Sequence, residues 1–261
     1  MGTNDTIEAM PLPLAARRRR NLPARAAFDW LAKGWRDLWH KPLPSLAYGL
    51  AIFAVSIVIV WELFRLKLDY ILFPALAGFM VVGPLVAIGL YQKSRDIEDG
   101  RSVSLARMLF VKAASGAQVW YTGAILCLLM LVWMRAAVII YALFFGLRAF
   151  PGLDGVVAML LNTPEGWGML VVGSAVGGLF AAFSFAISTF AIPMLLDEKT
   201  DAFTAMGTSI SLVWNNLPVM LAWGAIVLAL FLLSVATGLI GLIVVFPLLG
   251  HATWHSYRAI A

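Results

Sequence analysis

Apolar residues fall along this chain in five long runs that hold almost no charge: residues 46–63, 70–92, 119–145, 167–196 and 217–249. The hydrocarbon core of a bilayer takes about 20 residues of helix. Each of the first four runs therefore predicts one span. The last, 33 residues long, is too long for one helix and a little short for two. Length alone leaves five or six.

An internal repeat decides for six. Residues 27–54 align without a gap on residues 202–229 at an offset of 175: Leu46-Ala47-Tyr48-Gly49 falls on Leu221-Ala222-Trp223-Gly224, and Trp39 falls on Trp214. Farther on, Val81-Val82-Gly83-Pro84-Leu85 aligns on Val244-Val245-Phe246-Pro247-Leu248, with the second copy 12 residues shorter in between. A weaker middle copy has Gly123-Ala124-Ile125 for Gly224-Ala225-Ile226, and Pro193 for Pro84 and Pro247. A unit repeated at this length is a supersecondary element used again. The expected fold class is all-α: six transmembrane helices as three hairpin pseudo-repeats, spanning about 46–63, 70–92, 119–138, 170–196, 217–233 and 238–254, with the last hairpin turning near Ser234 to Gly238.

Each unit opens on an amphipathic segment. Phe28, Leu31, Trp35, Leu38 and Trp39 recur at helical spacing, with Asp29, Lys33, Arg36, Asp37 and His40 between them. The offset of 175 carries that stripe onto Phe203, Met206, Ile210, Val213 and Trp214. Such helices lie in a membrane surface. Residues 103–114, with Arg107 and Lys112, hold the corresponding but less patterned segment before the third span.

Composition agrees. Hydrophobic residues make up 62% of the 261 and charged ones 13%, about half of what a soluble domain carries, so lipid is the solvent for most of the chain. The net charge of +5 owes much to Arg17, Arg18, Arg19, Arg20 and Arg25. That stretch lacks the aromatics of a nucleic-acid platform and is suited to anionic lipid headgroups. No nucleic-acid partner is expected. Residues 1–25 read as a disordered basic cytoplasmic tail and 26–261 as one membrane domain. The apolar stretch 10–16 precedes the arginines and holds Pro11 and Pro13, the reverse of a cleaved signal.

With both termini in the cytoplasm, eight Lys and Arg precede the first span, five lie between the second and third, and Lys199 and Arg258 complete that side. Arg65, Lys67 and Arg148 fall outside, and Arg135 lies within the third run. This is the asymmetry of the positive-inside rule.

Few residues could carry chemistry. Arg135 in an apolar run is a candidate functional residue, with Glu62 as its conceivable partner; both are also explained as interfacial residues. His251 and His255, four apart, share a helix face as a two-histidine metal pair would, yet no carboxylate accompanies them in sequence and no metal site is expected. Asp197, Glu198 and Asp201 suit a cytoplasmic loop and a helix start. Gly173 and Gly177 form a G-x-x-x-G that allows close helix packing. Pro84, Pro193 and Pro247 are expected to bend the even-numbered spans at one depth. The lone Cys127 excludes an intramolecular disulfide and a cysteine metal cage. No cofactor is expected.

Gly34-Trp35-Arg36-Asp37-Leu38, then Pro193-Met194-Leu195-Leu196-Asp197 leading through Ala205, Ser209 and Asn216-Leu217-Pro218, resemble the domain-of-unknown-function 2189 family of predicted bacterial integral membrane proteins, over about residues 28–258. The resemblance implies a bacterial cytoplasmic membrane and brings no activity or functional residues. The expectation for function is a non-enzymatic accessory or organising factor for a membrane complex or the bilayer, with a membrane-protein partner or a second copy of itself. The alternative is a small-solute transporter or channel, which hairpin repeats favour. A membrane enzyme built on Asp197, Glu198, His251 and His255 ranks third.

Overall fold

A computed structural model describes residues 21–261 apart from Leu147 and Ala149, and the regular structure among them is helical, with no strand. The helices are α1 (Ala26–Trp39), α2 (Pro42–Arg65), α3 (Leu72–Val86), α4 (Ile88–Glu98), α5 (Leu105–Leu109), α6 (Gln118–Phe145), α7 (Gly152–Asn162), α8 (Pro164–Ser188), α9 (Ala191–Asp197), α10 (Ala202–Asn215), α11 (Leu217–Ala236) and α12 (Leu242–Ile260). Five stretches are long and apolar enough to cross a membrane: Pro42–Arg65, Asp69–Glu98, Gln118–Phe145, Pro164–Asp197 and Leu217–Ala236.

The stretch expected as a sixth span forms α12, which is not among those five. Its second half carries His251, His255, Ser256 and Arg258, and much of its surface is buried within the chain, against α1, α2 and α4. The turn before it closes by a bond from the Leu239 N–H to the Ser234 carbonyl, with Gly238 at φ +64. This is the left-handed closure that glycine permits.

One end of the bundle gathers the starts of α2, α6 and α11 with the ends of α4, α9 and α12. The Asn21 and Leu22 N–H groups donate to the Asn215 carbonyl and the Asn216 side chain. Ala114 and Ser115 donate to the carbonyls of Leu196 and Leu195. Gln118 accepts from the Ala202 N–H, and Arg95 donates to the Leu196 carbonyl. Of the expected tail, residues 1–20, with Arg17 to Arg20, lie outside the described residues. Residues 21–25 are tied to the bundle rather than free, because Asn21 and Leu22 satisfy the end of α10.

The two surface helices, each 14 residues long, bury corresponding positions. In α1 these are Ala27, Trp30, Gly34, Asp37 and Leu38; in α10 Ala202, Ala205, Ser209, Leu212 and Val213 lie at the same offset of 175. Phe28, Trp35 and Trp39 point outward, as do Phe203, Ile210 and Trp214. The stripe expected from sequence thus divides in two. Its aromatics face away from the protein, whereas Leu38 and Val213 pack inward, and Asp37, expected on the wet face, is buried. The third surface segment shrinks to the five residues of α5.

The second and fourth crossing stretches are interrupted. The first breaks at Ala87, between α3 and α4, three residues after Pro84; the other breaks at Thr189 and Phe190, just before Pro193. Backbone groups released in lipid must find other partners. The Phe190 N–H donates to the Ser209 hydroxyl at 3.1 Å, and that hydroxyl donates to the Ala186 carbonyl at 2.6 Å, so α10 stitches the break. Pro247, by contrast, sits inside an unbroken α12.

At the other end the structure adds what the periodicity missed. The third span was expected to stop at 138 and the fourth to begin at 170, but α6 runs to Phe145 and α8 starts at Pro164 behind the Thr163 cap, with α7 between them. The apolar runs are longer than a bilayer needs, and helix propensity carries them past the expected ends.

Candidate functional site

Three glycines draw α1, α2 and α4 onto α12. A Cβ placed on Gly34 would stand 2.6 Å from the Ala252 nitrogen, one on Gly49 would stand 2.2 Å from the Ile243 oxygen, and one on Gly250 would stand 2.6 Å from Leu90. The Ile243 carbonyl is the one that Pro247 deprives of its helical N–H, and the backbone of Gly49 covers it. Between these tightly apposed helices Ser45, Lys93, Ser94 and His251 are fully buried, and Asp37 nearly so. Buried polar groups on this scale are tolerated only when paired.

Each of them is paired. The Lys93 ammonium donates to the Ser45 hydroxyl at 2.7 Å and to the carbonyls of Lys41 and Leu38 at 3.1 and 3.4 Å. Those carbonyls belong to the last turn of α1 and the link that follows, where Lys41 holds φ +54. A cation there meets the negative end of the helix dipole. Ser45 hydrogen-bonds His251 Nε2 and Ser94 hydrogen-bonds His251 Nδ1, both at 2.9 Å. His255 Nε2 lies 2.8 Å from Asp37 Oδ2. His255 Nδ1 stands 3.7 Å from Glu98, which pairs with Arg258 at 3.2 Å; Arg258 and Arg95 both hold Asp197 at 3.3 Å.

Burial, the largest single influence on Asp37, pushes its pKa up, but the hydrogen bond to His255 and the neighbouring Ser94 hydroxyl and imidazoles outweigh it and hold the group below the usual carboxylate range. Tyr257 donates to Glu198 at 2.7 Å, and burial together with that carboxylate pushes the phenol well above its ordinary value. The exposed Asp201 caps α10 through the Thr204 N–H, and the Thr204 side chain, followed by that N–H, lowers its pKa.

The candidates from sequence divide. His251, His255, Asp197 and Glu198 lie at one end of the bundle, where Tyr257 and Arg258 join α12 to the two carboxylates. Both nitrogens of His251 are held by serines, which leaves no lone pair for a metal, and no group of three or more metal-binding side chains exists among the described residues. Glu62 pairs with Arg65 at 2.7 Å and not with Arg135, because a neighbour one helical turn away is nearer than another span. Arg135 is exposed, two residues beyond Trp133, whose indole donates to the Pro74 carbonyl in the first turn of α3, which places it near the far end of the bundle. Gly177 packs on Trp133, whereas Gly173 meets nothing within 4 Å, so the G-x-x-x-G is not one continuous seam within the chain. An outward-opening apolar groove of about 470 Å³ lies between α6, α8 and α10, bordered by Ile125, Phe183, Phe203 and Ile210.

Sequence reasoning missed Asp37, Ser45, Lys93, Ser94, Glu98 and Tyr257. A signal existed for Asp37: it lies three residues after Gly34 and seven after Trp30, on the face a helical glycine marks for close approach. Lys93 reads from sequence as one more interfacial cation.

Neither the curated proteins nor the solved structures contain a match to the chain. Residues 72–197 match the model of a family described as a predicted integral membrane protein, DUF2189. The match is shorter than the 28–258 expected: it includes Pro193 to Asp197 but not the motif from Gly34 to Leu38, and of the polar cluster it takes in Lys93, Ser94, Arg95, Glu98 and Asp197. Over residues 72–197, just under half of its length, the chain is thus similar to the DUF2189 family of predicted integral membrane proteins.

Proposed function

We propose that this protein is a non-enzymatic organising factor of a bacterial cytoplasmic membrane, with both termini inside and α12 as its sixth span. What carries the reading is the pair of surface helices. α1 and α10 set six large side chains, Phe28, Trp35, Trp39, Phe203, Ile210 and Trp214, outward at one end of the bundle, and both helices are fastened from behind, α1 by Lys93 and His255 and α10 by Ser209 and Gln118. Aromatic residues on amphipathic helices belong at the headgroup level. Rigid anchoring lets such helices order lipid, or a partner embedded in it, rather than float. The excess of Lys and Arg in the segments at that end supports a cytoplasmic orientation, and the run Arg17 to Arg20 in the sequence suits anionic headgroups.

Reconstitution into nanodiscs of phosphatidylglycerol and phosphatidylcholine with deuterated headgroups tests the reading. An organising role predicts a motionally restricted headgroup population that Trp35→Ala combined with Trp214→Ala removes without unfolding the protein. Headgroups as mobile as in empty discs would overturn it. A second reading, small-solute transport, draws on the buried Lys93 and Asp37, since ionisable groups within a bundle mark ion paths; solute flux into proteoliposomes is its test.

A further inference from the structure

We propose that the groove between α6, α8 and α10 is a phospholipid site: it holds one acyl chain of a lipid in the leaflet that α10 borders, with the headgroup phosphate at Lys112 and Lys199. The inference rests on the reading of α10 as a helix at headgroup level, and it names the molecule that such a helix holds.

The depth of the groove is that of one leaflet. Trp120 and Tyr121 at the start of α6 are exposed, and exposed aromatics near the end of a span mark the headgroup level. At 1.5 Å per residue, Ile125 lies about 6 Å beyond Tyr121 along α6, and Val132, the farthest α6 residue to border the groove, about 17 Å beyond. Half of a hydrocarbon core is about 15 Å deep. Because α6 and α8 belong to stretches long and apolar enough to cross a membrane, the groove opens on lipid.

Its lining selects a chain over a helix. The walls are apolar throughout, with Ile125, Leu128, Phe183, Met206 and Ile210 among them. Close helix pairs in lipid need small residues at the contact, whereas these are bulky and leave a cleft that a flexible, unbranched chain can follow. An extended peptide would bring N–H and C=O groups that nothing in such walls satisfies. Gly207 gives a second sign. It stands in the wall, midway along α10, and a Cβ on it would meet no protein atom within 4 Å. Glycine weakens a helix relative to alanine, and here no close approach within the chain offsets that, so the space it leaves opens into the groove.

Burial alone gives no preference, because lipid tails are as apolar as the groove. Contact with ordered walls on three sides, and charge at the headgroup, hold one molecule longer than its neighbours. The Thr200 N–H donates to Ser115 Oγ at 3.0 Å, and that hydroxyl donates to the Glu198 carbonyl at 2.5 Å, which knots the link before α6 to the link before α10. The knot brings Lys112 and Lys199 to the end of α10 where Phe203 borders the groove. Both lysines are exposed, and neither enters an ion pair among the described residues. The carboxylates on that side are engaged elsewhere: Asp201 by the Thr204 N–H, Glu198 by Tyr257, and Asp197 by Arg95 and Arg258. Two free lysines at one headgroup favour an anionic lipid over a zwitterionic one by about tenfold or more.

Native mass spectrometry of the full chain in dodecyl maltoside, titrated with phosphatidylglycerol or phosphatidylcholine, counts the bound lipid. One phosphatidylglycerol per chain is expected, about tenfold tighter than phosphatidylcholine, with the difference lost in Lys112→Gln combined with Lys199→Gln. Gly207→Leu, whose side chain fills the groove, should weaken binding of phosphatidylglycerol by about tenfold or more. Gly173→Leu, equally free of neighbours but away from the groove, should bind as wild type does. Equal affinity for the two lipids, unaltered binding in Gly207→Leu, or an equal loss in Gly173→Leu would overturn the proposal; so would a dimer that Gly207→Leu splits, which would give the groove to a second copy. Should Gly207→Leu fail to fold, Leu128→Trp, at an exposed position in the α6 wall, is read the same way. Trp35 and Trp214, on which the headgroup test above depends, do not border the groove, so either reading can fail while the other stands.

Discussion

Replacing Gly49 by alanine puts a methyl group where α2 meets α12. The new Cβ would lie 2.2 Å from the Ile243 oxygen, 2.8 Å from its carbon and 2.9 Å from the Pro247 ring. Ordinary contact begins near 3.4 Å, so backbone must part from backbone by more than an ångström, with no flexible side chain to take up the strain. Overpacking of this kind costs about 1–3 kcal/mol, against about 1 kcal/mol gained from alanine's helix propensity. A net loss of up to about 2 kcal/mol is expected, larger if the uncovered Ile243 carbonyl meets lipid. Gly173→Ala is the control, because nothing lies within 4 Å of the added atom; it should be neutral or stabilising by up to about 1 kcal/mol. Unfolding in mixed micelles of sodium dodecyl sulfate and dodecyl maltoside, followed by circular dichroism, measures both. Equal stability of Gly49→Ala and wild type, or an equal loss in Gly173→Ala, refutes the reasoning.

Lys93→Met removes the cation from three buried oxygens and should cost about 3 kcal/mol; amide hydrogen exchange at His40 and Lys41 should quicken as the link between α1 and α2 loosens, and an unchanged exchange rate would contradict the clamp. Asp37 has a folded pKa below its unfolded value, so its contribution is complete above about pH 4 and is lost as the pH falls through the folded pKa. Asp37→Asn should therefore flatten the acid limb of a stability titration, and an unaltered limb counts against the buried carboxylate. Ser209→Ala strands the Phe190 N–H and should cost about 1–3 kcal/mol, read from the same micelle unfolding. Nitroxides at Trp35 and Ile210 should be more accessible to oxygen than to a water-soluble relaxant, with the reverse at Arg36 and Ser211; equal accessibility would remove the lipid-facing stripe.

The helices and their number of apolar runs were legible because lipid demands length, and a run of about 20 residues has few other uses. The surface helices were legible as helices but not in their orientation. Phe28, Trp35 and Leu38 look alike to a periodicity count, and whether a hydrophobe faces lipid or protein depends on what lies behind it. For α1 that is α12, joined through Gly34 and Ala252, which are 218 residues apart. The site was half legible. His251 and His255 announce themselves by spacing, as do Asp197 and Glu198 by clustering. Ser45 is one serine among many, and Lys93 is indistinguishable from an interfacial lysine until α1 is laid across it. The Glu62 and Arg135 pair failed for a related reason: sequence ranks both as unusual without showing that Arg65 lies one turn from Glu62.

The account's central claim is that α12 returns to the face from which α2 departs, so that His255 can meet Asp37. Single cysteines at Ser102, Arg148 and Ala261 in a Cys127→Ala background, exposed to a membrane-impermeant maleimide, test it most directly. In inverted membrane vesicles Ser102→Cys and Ala261→Cys should both be labelled and Arg148→Cys should not, with the pattern reversed in right-side-out vesicles. Labelling of Ala261→Cys together with Arg148→Cys would place the end of α12 on the opposite face and contradict the account.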